Sequence, residues 1–325
     1  MRLGTVLFGC TLVLACAGGP GQALKSDPTA DHYERILESQ RARKAANANL
    51  GGAEQGAVAS PEELVTRGDQ LRKAGDRSQA LKTYLEAVSR APDSVTPRAR
   101  IGYLHLQDDP QRAAGIFSDV VVRDPSSLDG WLGLALARLA LEDTRAALEA
   151  VTRARSLAPD APQVIPVDAL LHDQQGDHAE AQRLWARALE HRPTDAALLN
   201  NLGLSYLADG DFPAAAGAFQ RALSVDPKSA VSHNNLGLAL GRQGDYDDAF
   251  TSFRKAGSEG AALTNLGYVY HLNGDHEGAI AQYMRALDAP GVDKLAVLRN
   301  LEASEAARLA TPASASPPSG SRPGL

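Results

Sequence analysis

Apolar residues recur three and four positions apart along most of the chain, as in Leu199, Leu202 and Tyr206. This spacing places them on one face of an α-helix, so the chain is predicted to form short amphipathic helices. Gly-Asp pairs interrupt the pattern, among them those at positions 176–177, 210–211, 244–245 and 274–275. Because glycine readily ends one helix and aspartate caps the start of the next, these pairs predict tight turns between paired helices.

A short motif gives the period of these helix pairs. Asn-Leu-Gly occurs at 201–203, 235–237 and 265–267, so successive motifs lie 34 and then 30 residues apart. A 34-residue period with Leu-Gly in the first helix, then Ala, an aromatic residue and a closing Pro, resembles the tetratricopeptide repeat. In this register the chain contains seven repeats, at residues 61–94, 95–127, 128–161, 162–195, 196–229, 230–259 and 260–293.

The resemblance implies an all-α fold, a right-handed superhelical solenoid of about seven helix-turn-helix repeats. Gly203 lies where neighbouring helices approach most closely, and a larger side chain there is expected to cost about 1–3 kcal/mol. Such an array needs a terminal cap with a polar outer face. Residues 294–310 fit this polar-backed capping helix. Its leucines are Leu295, Leu298, Leu301 and Leu309.

The first residues have the features of a targeting segment. Arg2 precedes an apolar run of 13 residues, from Leu3 to Ala15, which is too short to cross a bilayer as a permanent helix. The run ends in the sequence LVLAC at residues 12–16, which resembles the lipobox of bacterial lipoproteins. That resemblance implies a signal peptide at residues 1–15 and acylation of Cys16, with plain secretion as the alternative.

Two further segments flank the repeats. Residues 16–60 are rich in Gly, Ala, Gln and Ser and are predicted to be a flexible tether. Residues 311–325 are rich in Pro, Ser and Gly and are predicted to be a disordered tail. Residue 17 is Ala, not the Asp that retains many lipoproteins in the inner membrane. By that resemblance we expect a lipid anchor at Cys16 in the outer membrane, with the protein facing the periplasm.

The composition argues against several classes of function. A formal net charge of -6 disfavours nucleic-acid binding, since such affinity comes from lysine and arginine neutralising phosphates. Only 5% of the residues are aromatic, which indicates a core of small side chains between closely packed helices. The two cysteines, both within the first 16 residues, are too few for a disulfide framework or a four-thiolate zinc site.

No motif for catalysis or metal binding accompanies the repeats. The eight histidines are scattered, and no HExxH, G-x-S-x-G or phosphate-loop pattern occurs. His172, His178, His271 and His276 lie near inter-helix turns and are interpreted as solvated turn residues. We therefore predict no enzyme activity, no cofactor, no metal and no small-molecule substrate.

The resemblance indicates one candidate site, a concave groove lined by the first helix of every repeat. The residues at the family's groove positions include Asn200, Asn201, Asn234, Asn235, Thr264, Asn265, Tyr268 and His271. A primary amide carries both donors and an acceptor, so it can pair with a peptide backbone regardless of side chains. Two interpretations stay open. One is an asparagine ladder that binds extended polypeptide, and the other is a structural role in which each Asn bonds its neighbour.

Together these observations predict an exported, anchored scaffold for protein–protein interactions. The combination of lipobox, tether and repeats is similar to the TadD lipoproteins of the tight-adherence (Flp/Tad) pilus system, which implies partners among pilus or secretin components. The closest alternative is a pilotin-like lipoprotein that carries a secretin to the outer membrane. An adaptor for peptidoglycan enzymes is a further alternative.

Overall fold

A computed structural model describes residues 59–159 and 161–310 of the chain. This part of the chain forms fifteen α-helices and contains no β-strand. The helices are α1 (Pro61–Lys73), α2 (Arg77–Arg90), α3 (Thr96–His105), α4 (Pro110–Arg123), α5 (Leu128–Ala140), α6 (Thr144–Leu157), α7 (Val164–Gln175), α8 (His178–His191), α9 (Ala196–Asp209), α10 (Phe212–Val225), α11 (Ala230–Gln243), α12 (Tyr246–Ala256), α13 (Glu259–Leu272), α14 (His276–Asp288) and α15 (Lys294–Ala310). The predicted all-α fold is thus confirmed for the described residues. The predicted signal peptide, nearly all of the tether, and the tail lie outside them.

The first fourteen helices form seven consecutive pairs, and each predicted repeat range contains one pair apart from a one-residue difference. The difference is at α13, which begins at Glu259 rather than at residue 260. The sixth pair is short because α12 has 11 residues, whereas α10 and α14 have 14 and 13. This shortening accounts for the 30-residue spacing that the sequence shows between the last two Asn-Leu-Gly motifs.

Within the described residues the chain divides into two compact units, one that ends at Pro193 and one that begins at Thr194. Unit 1 contains α1 to α8, and unit 2 contains α9 to α15. Inside each unit the two helices of a pair pack against each other, and each second helix also packs against the first helix of the next pair. Each unit is therefore built only from contacts between near neighbours in the sequence, as expected for a repeat array.

The turns within the pairs follow the glycines that the sequence identifies. Gly176, Gly210 and Gly244 end α7, α9 and α11 with φ values of 81°, 87° and 95°. This left-handed conformation is unstrained for glycine, which has no Cβ. The third pair departs from the rule, since Glu142 has a φ of 58° at the position that corresponds to Gly176. Glu142 is the one non-glycine residue with a positive φ in the described chain.

The aspartates that follow these glycines start the second helices. The carboxylates of Asp177, Asp211 and Asp275 accept hydrogen bonds from backbone N–H groups three residues ahead, at 3.3, 3.0 and 2.8 Å. The predicted caps are confirmed at these three turns. Asp245 precedes α12 without a side-chain cap hydrogen bond, so the prediction is wrong there. Asp247 and Asp248 place acidic charge in the first turn of α12, where negative charge interacts favourably with the helix dipole and stabilises the helix.

Glycine in a first helix faces an aromatic ring of the second helix. A Cβ built on Gly203 would lie 2.5 Å from Cε1 of Phe219, and one on Gly267 would lie 2.7 Å from Cε1 of Tyr283. The predicted close approach at Gly203 is thereby confirmed. Six of the seven pairs bury one large ring almost completely, namely Tyr84, Phe117, Trp185, Phe219, Phe253 and Tyr283. A low aromatic content therefore suffices, because one ring fills the interface of a pair.

The terminal helix α15 differs from the prediction on its outer face. Val297 is fully buried, and Leu301 packs against the same core cluster as Val297. Leu295, Leu298 and Leu309 are instead 66%, 41% and 78% exposed. Helix α15 packs on unit 2 as the predicted capping helix, but the stripe that packs runs through Val297 and Leu301 rather than through all four leucines. The other three leucines lie on the opposite side of the helix.

Candidate functional site

The first helices of unit 2 form one continuous side of that unit. Helix α9 contacts α11, and α11 contacts α13. Among the described helices of unit 2, no second helix makes a comparable contact with another second helix. The unit is therefore closer packed on the side of its first helices, which is the side where the sequence places the candidate groove. We call the side formed by α9, α11 and α13 the inner face.

Two amide pairs connect the helices of the inner face. Nδ2 of Asn235 in α11 donates to Oδ1 of Asn200 in α9 at 3.0 Å, and this bond is buried. Nδ2 of Asn265 in α13 donates to Oδ1 of Asn234 in α11 at 3.3 Å, and this bond is only partly buried. The structural role that the sequence left open is therefore present, since each pair ties one first helix to the next.

The two amide pairs differ in how much of them a ligand can reach. Asn200 and Asn235 are 6% and 3% exposed, so they offer almost no surface. Asn234 and Asn265 are partly exposed. A carboxamide has two N–H donors and an oxygen with two lone pairs, so one lateral hydrogen bond leaves most of its capacity unused. Of the two amide pairs, the Asn234–Asn265 pair is thus the one whose donors and acceptors a ligand can reach.

The remaining predicted groove residues differ in how exposed their side chains are. Asn201 and Tyr268 are partly exposed and remain candidates for contact with a ligand. Thr264 is fully buried, and its hydroxyl donates to the carbonyl oxygen of Gly260 in its own helix at 2.7 Å. The threonine is therefore removed from the surface of the inner face. A β-branched hydroxyl that bonds the preceding turn is common inside helices, so sequence position alone does not distinguish the two roles.

His271 lies at the end of the inner face and contacts the terminal helix. Its Nδ1 atom is 2.9 Å from Oγ of Ser304 in α15, and its ring centroid is 5.1 Å from that of His276. Burial, with a smaller contribution from His276, lowers the pKa of His271 below its ordinary value. The interpretation of these two histidines as solvated turn residues is wrong, since both rings are partly buried. His271 instead helps to fix α15 on unit 2.

The first three first helices of unit 1, α1, α3 and α5, are linked by charged side chains. The guanidinium of Arg100 in α3 lies 3.3 Å from Oδ1 of Asp69 in α1 and 2.9 Å from Oδ2 of Asp129 in α5. The hydroxyl of Tyr103 also donates to the backbone carbonyl of Asp129 at 3.2 Å. Burial and then the Asp129 carboxylate raise the pKa of Tyr103 above its ordinary value. This link between first helices could have been predicted from the sequence, because Arg100 occupies the same repeat position as Asn235 in unit 2.

A buried carboxylate lies between the helices of the fourth pair. Asp173 has no exposed side-chain surface, and it accepts hydrogen bonds from Nε1 of Trp185 at 2.8 Å and Nδ1 of His178 at 3.0 Å. His172 contacts Asp177 at 3.3 Å. His172 and His178 are therefore partly buried partners of carboxylates, and their interpretation as solvated turn residues is wrong. Since both oxygens of Asp173 already have donors, this cluster is structural.

Metal binding and membrane spanning are two further possibilities for the described helices. Across the described ranges, no cluster of three or more histidine, cysteine, aspartate or glutamate side chains is arranged to hold a metal ion. None of the described helices combines the length and apolar character needed to cross a membrane. The inner face of unit 2 is thus the strongest candidate site that the structure describes.

Comparison with known families identifies the repeats. The family model described as cilia and flagella-associated protein 70 C-terminal domain matches residues 23–265, about three quarters of the chain. A tetratricopeptide-repeat model matches residues 260–290. The predicted tetratricopeptide-repeat fold is thereby confirmed, and repeats of this kind serve as scaffolds for protein–protein interaction. No curated protein has a sequence that matches this chain.

Solved structures with similar folds belong to proteins of different functions. The Cut9–Hcn1 hetero-tetramer of APC/C is 21% identical over 77% of this chain and 49% of its own, with a TM-score of 0.59. This chain therefore spans about half the length of that relative. PilW, a widely conserved type IV pilus biogenesis factor, is 19% identical over 63% of this chain and 98% of its own, with a TM-score of 0.53.

A third similar structure is the human IFIT1 dimer with m7Gppp-AAAA. It is 18% identical over 86% of this chain and 70% of its own, with a TM-score of 0.61. At such identities the likeness establishes the fold alone. The nature of the ligand must therefore be argued from this chain's own residues.

Proposed function

Because the chain belongs to the family of the cilia and flagella-associated protein 70 C-terminal domain, a tetratricopeptide-repeat family, we propose that it is a non-catalytic scaffold that binds extended polypeptide on the inner face of unit 2. We further propose that it is a periplasmic lipoprotein, anchored through Cys16 to the outer membrane, that takes part in assembly of an Flp/Tad-type pilus or secretion system. The lipobox-like sequence at residues 12–16 supports the anchor. The similarity of the fold to PilW is compatible with a pilus role.

The observation that carries the binding proposal is the partly exposed amide pair of Asn234 and Asn265. An extended chain presents one N–H and one C=O group per residue, and a carboxamide can pair with both. Packed helices lie about 8–10 Å apart, whereas an extended chain advances about 3.3–3.6 Å per residue. Roughly every third ligand residue would therefore meet a new first helix of the inner face. Such binding depends on the ligand backbone more than on its side chains.

The charge of the chain agrees with a neutral polypeptide ligand rather than a nucleic acid. The formal net charge is -6, and the Asn234–Asn265 pair that is proposed to bind the ligand consists of uncharged amides. Binding of phosphates requires clustered lysine or arginine, and its strength falls steeply with salt. Binding by amides is expected to change little with salt concentration.

A direct test uses fluorescently labelled peptides from the cell's own prepilin and secretin subunits, with binding to the full chain measured by anisotropy. Asn234→Ala is expected to weaken binding roughly 2- to 10-fold, as for the loss of one hydrogen bond. The matched control is Gln220→Ala, which removes an exposed amide from the second helix α10. If Asn234→Ala bound the peptides as tightly as the natural chain and had the same unfolding midpoint, the proposed binding by the Asn234–Asn265 pair would be contradicted.

A second experiment tests the anchor and the system separately from the inner face. In Cys16→Ser cells we expect the protein to leave the membrane fraction and pilus assembly to fall. If the secretin ring alone failed to reach the outer membrane, the pilotin-like alternative would replace the pilus scaffold. If the protein stayed in the membrane fraction and pili assembled normally, the anchored role would be excluded.

A further inference from the structure

The outer face of α15 carries an apolar stripe where a terminal helix is expected to be polar. Leu295, Leu298 and Leu309 expose much of their side chains, although Val297 and Leu301 of the same helix pack on unit 2. The caps of repeat arrays need a polar outer face to stay soluble, so exposed leucines at this position require another explanation. We propose that this face binds the same face of a second copy of this chain, with the two α15 helices antiparallel.

Position along the helix places the exposed leucines in one stripe. Residues 295, 298, 302 and 309 follow the spacing of three and four that marks one side of a helix. The side chains between and beside these leucines are Arg299, Glu302, Ala303, Glu305 and Ala306, which are all exposed. From residue 295 to residue 309 the stripe is about 21 Å long, at about 1.5 Å per residue. Its part from residue 295 to residue 306 is about 17 Å long, or about three helical turns.

The stripe is complementary to itself when two copies are antiparallel. A two-fold axis between residues 300 and 301 places Leu295 opposite Ala306 of the second copy, and Leu298 opposite Ala303. At these two levels a large side chain meets a small one, which allows the helices to approach closely, whereas Leu309 lies beyond the overlap of the two helices. A self-complementary contact of this type is what a two-fold homodimer requires, since the same patch serves both copies.

Charge selects the same arrangement. The same axis places Arg299 opposite Glu302 of the second copy, and symmetry repeats this pair, so the contact contains two ion pairs. In a parallel arrangement Arg299 would lie beside Arg299 of the second copy, and like charges would repel. Because charge and size match in the same register, a second copy of this chain fits the outer face of α15 better than an unrelated helix does. Because the contact is only about 17 Å long, the dimer is expected to be weak and concentration-dependent.

Sedimentation of the full chain in non-ionic detergent, with a reducing agent that keeps Cys10 and Cys16 from forming disulfides, measures the association. We expect a reversible monomer–dimer equilibrium over a roughly hundredfold range of concentration. Leu298→Glu is expected to abolish the dimer, because it buries a charge without a partner. The helical circular dichroism and the unfolding midpoint should stay unchanged, since the side chain of Leu298 is exposed and does not belong to the core of unit 2.

Charge reversal distinguishes this contact from non-specific association. Arg299→Glu and Glu302→Arg alone each place like charges together twice, so each should weaken the dimer about tenfold. The double variant R299E/E302R restores opposite charges and should dimerise as the natural chain does. Lys255→Glu, at an exposed position of α12, is the matched control and should have no effect on dimerisation. A chain that stays monomeric at every concentration, or a double variant no better than the single ones, would overturn the proposal.

Discussion

The fit of Gly203 against Phe219 gives the sharpest test of how the helix pairs are packed. Both residues lie in the fifth pair, with Gly203 in the middle of α9 and Phe219 in α10. The Phe219 ring is fully buried, and three of its atoms lie within 2.8 Å of the position where a Cβ on Gly203 would be. A contact of that length forces the ring or the helices to move. Gly203→Ala is therefore the smallest change that tests the close approach.

Two opposing effects set the magnitude for Gly203→Ala. Alanine is favoured over glycine inside a helix by about 0.8–1.0 kcal/mol. Overpacking a well-packed core by one methyl group costs about 1–3 kcal/mol. The free energy of unfolding should therefore fall by up to about 2 kcal/mol. Gly217 in α10 provides the matched control, because a Cβ at that position meets no atom within 4 Å. Gly217→Ala should gain only the helix preference, so the two variants should differ by about 1–3 kcal/mol.

Urea denaturation of the full chain, followed by circular dichroism, measures both variants under the same conditions. We expect the midpoint of Gly217→Ala to rise and that of Gly203→Ala to fall or stay level. Adding Phe219→Leu to Gly203→Ala should cost less than the sum of the two single changes, because the new methyl group fills part of the space that the ring leaves. Equal increases for Gly203→Ala and Gly217→Ala would refute the reasoning, since the ring would then yield without cost.

Two further predictions concern the turns and the terminal helix. Glu142→Gly should stabilise the third pair by about 1 kcal/mol, because glycine adopts the left-handed conformation that costs other residues about that much; a midpoint lower than that of the natural chain would contradict this. Since burial and His276 lower the pKa of His271, the folded state disfavours its protonation. Stability from this group is complete above the unfolded pKa of about 6.5 and is lost as the pH falls below it toward the folded pKa. Denaturation at several pH values should show a smaller loss in His271→Gln than in the natural chain.

Local signals account for most of the fold that could be predicted. The spacing of apolar residues and the Gly-Asp turns fix helices and caps within a few residues, so they are visible in the sequence. Asp245 shows the limit, because its type and position are right for a cap and its carboxylate nevertheless does not cap α12. Glu142 shows the same limit at a turn, since the neighbouring helices impose a conformation that its residue type disfavours.

The candidate site depends on distances between repeats, which the sequence does not contain. The sequence places asparagines at the right repeat positions, but it does not distinguish hydrogen bonds between neighbouring helices from binding of a ligand. The structure shows lateral bonds in both pairs and leaves Asn234 and Asn265 accessible. Burial of Thr264 likewise follows from the packing of α13. The outward leucines of α15 were not predicted because two apolar stripes on the same helix give overlapping periodicities.

Contacts confined to near neighbours also have a consequence for how such a chain can vary. Inside each unit, a helix packs on helices next to it or one further along, and no long-range pairing has to be kept in register. Insertion or loss of a whole 34-residue pair would leave the remaining interfaces of the same kind in place. Each added pair would lengthen the inner face by one first helix. Under the proposed function, the number of repeats sets how much polypeptide the inner face can accommodate, and that number can change without redesign of the core.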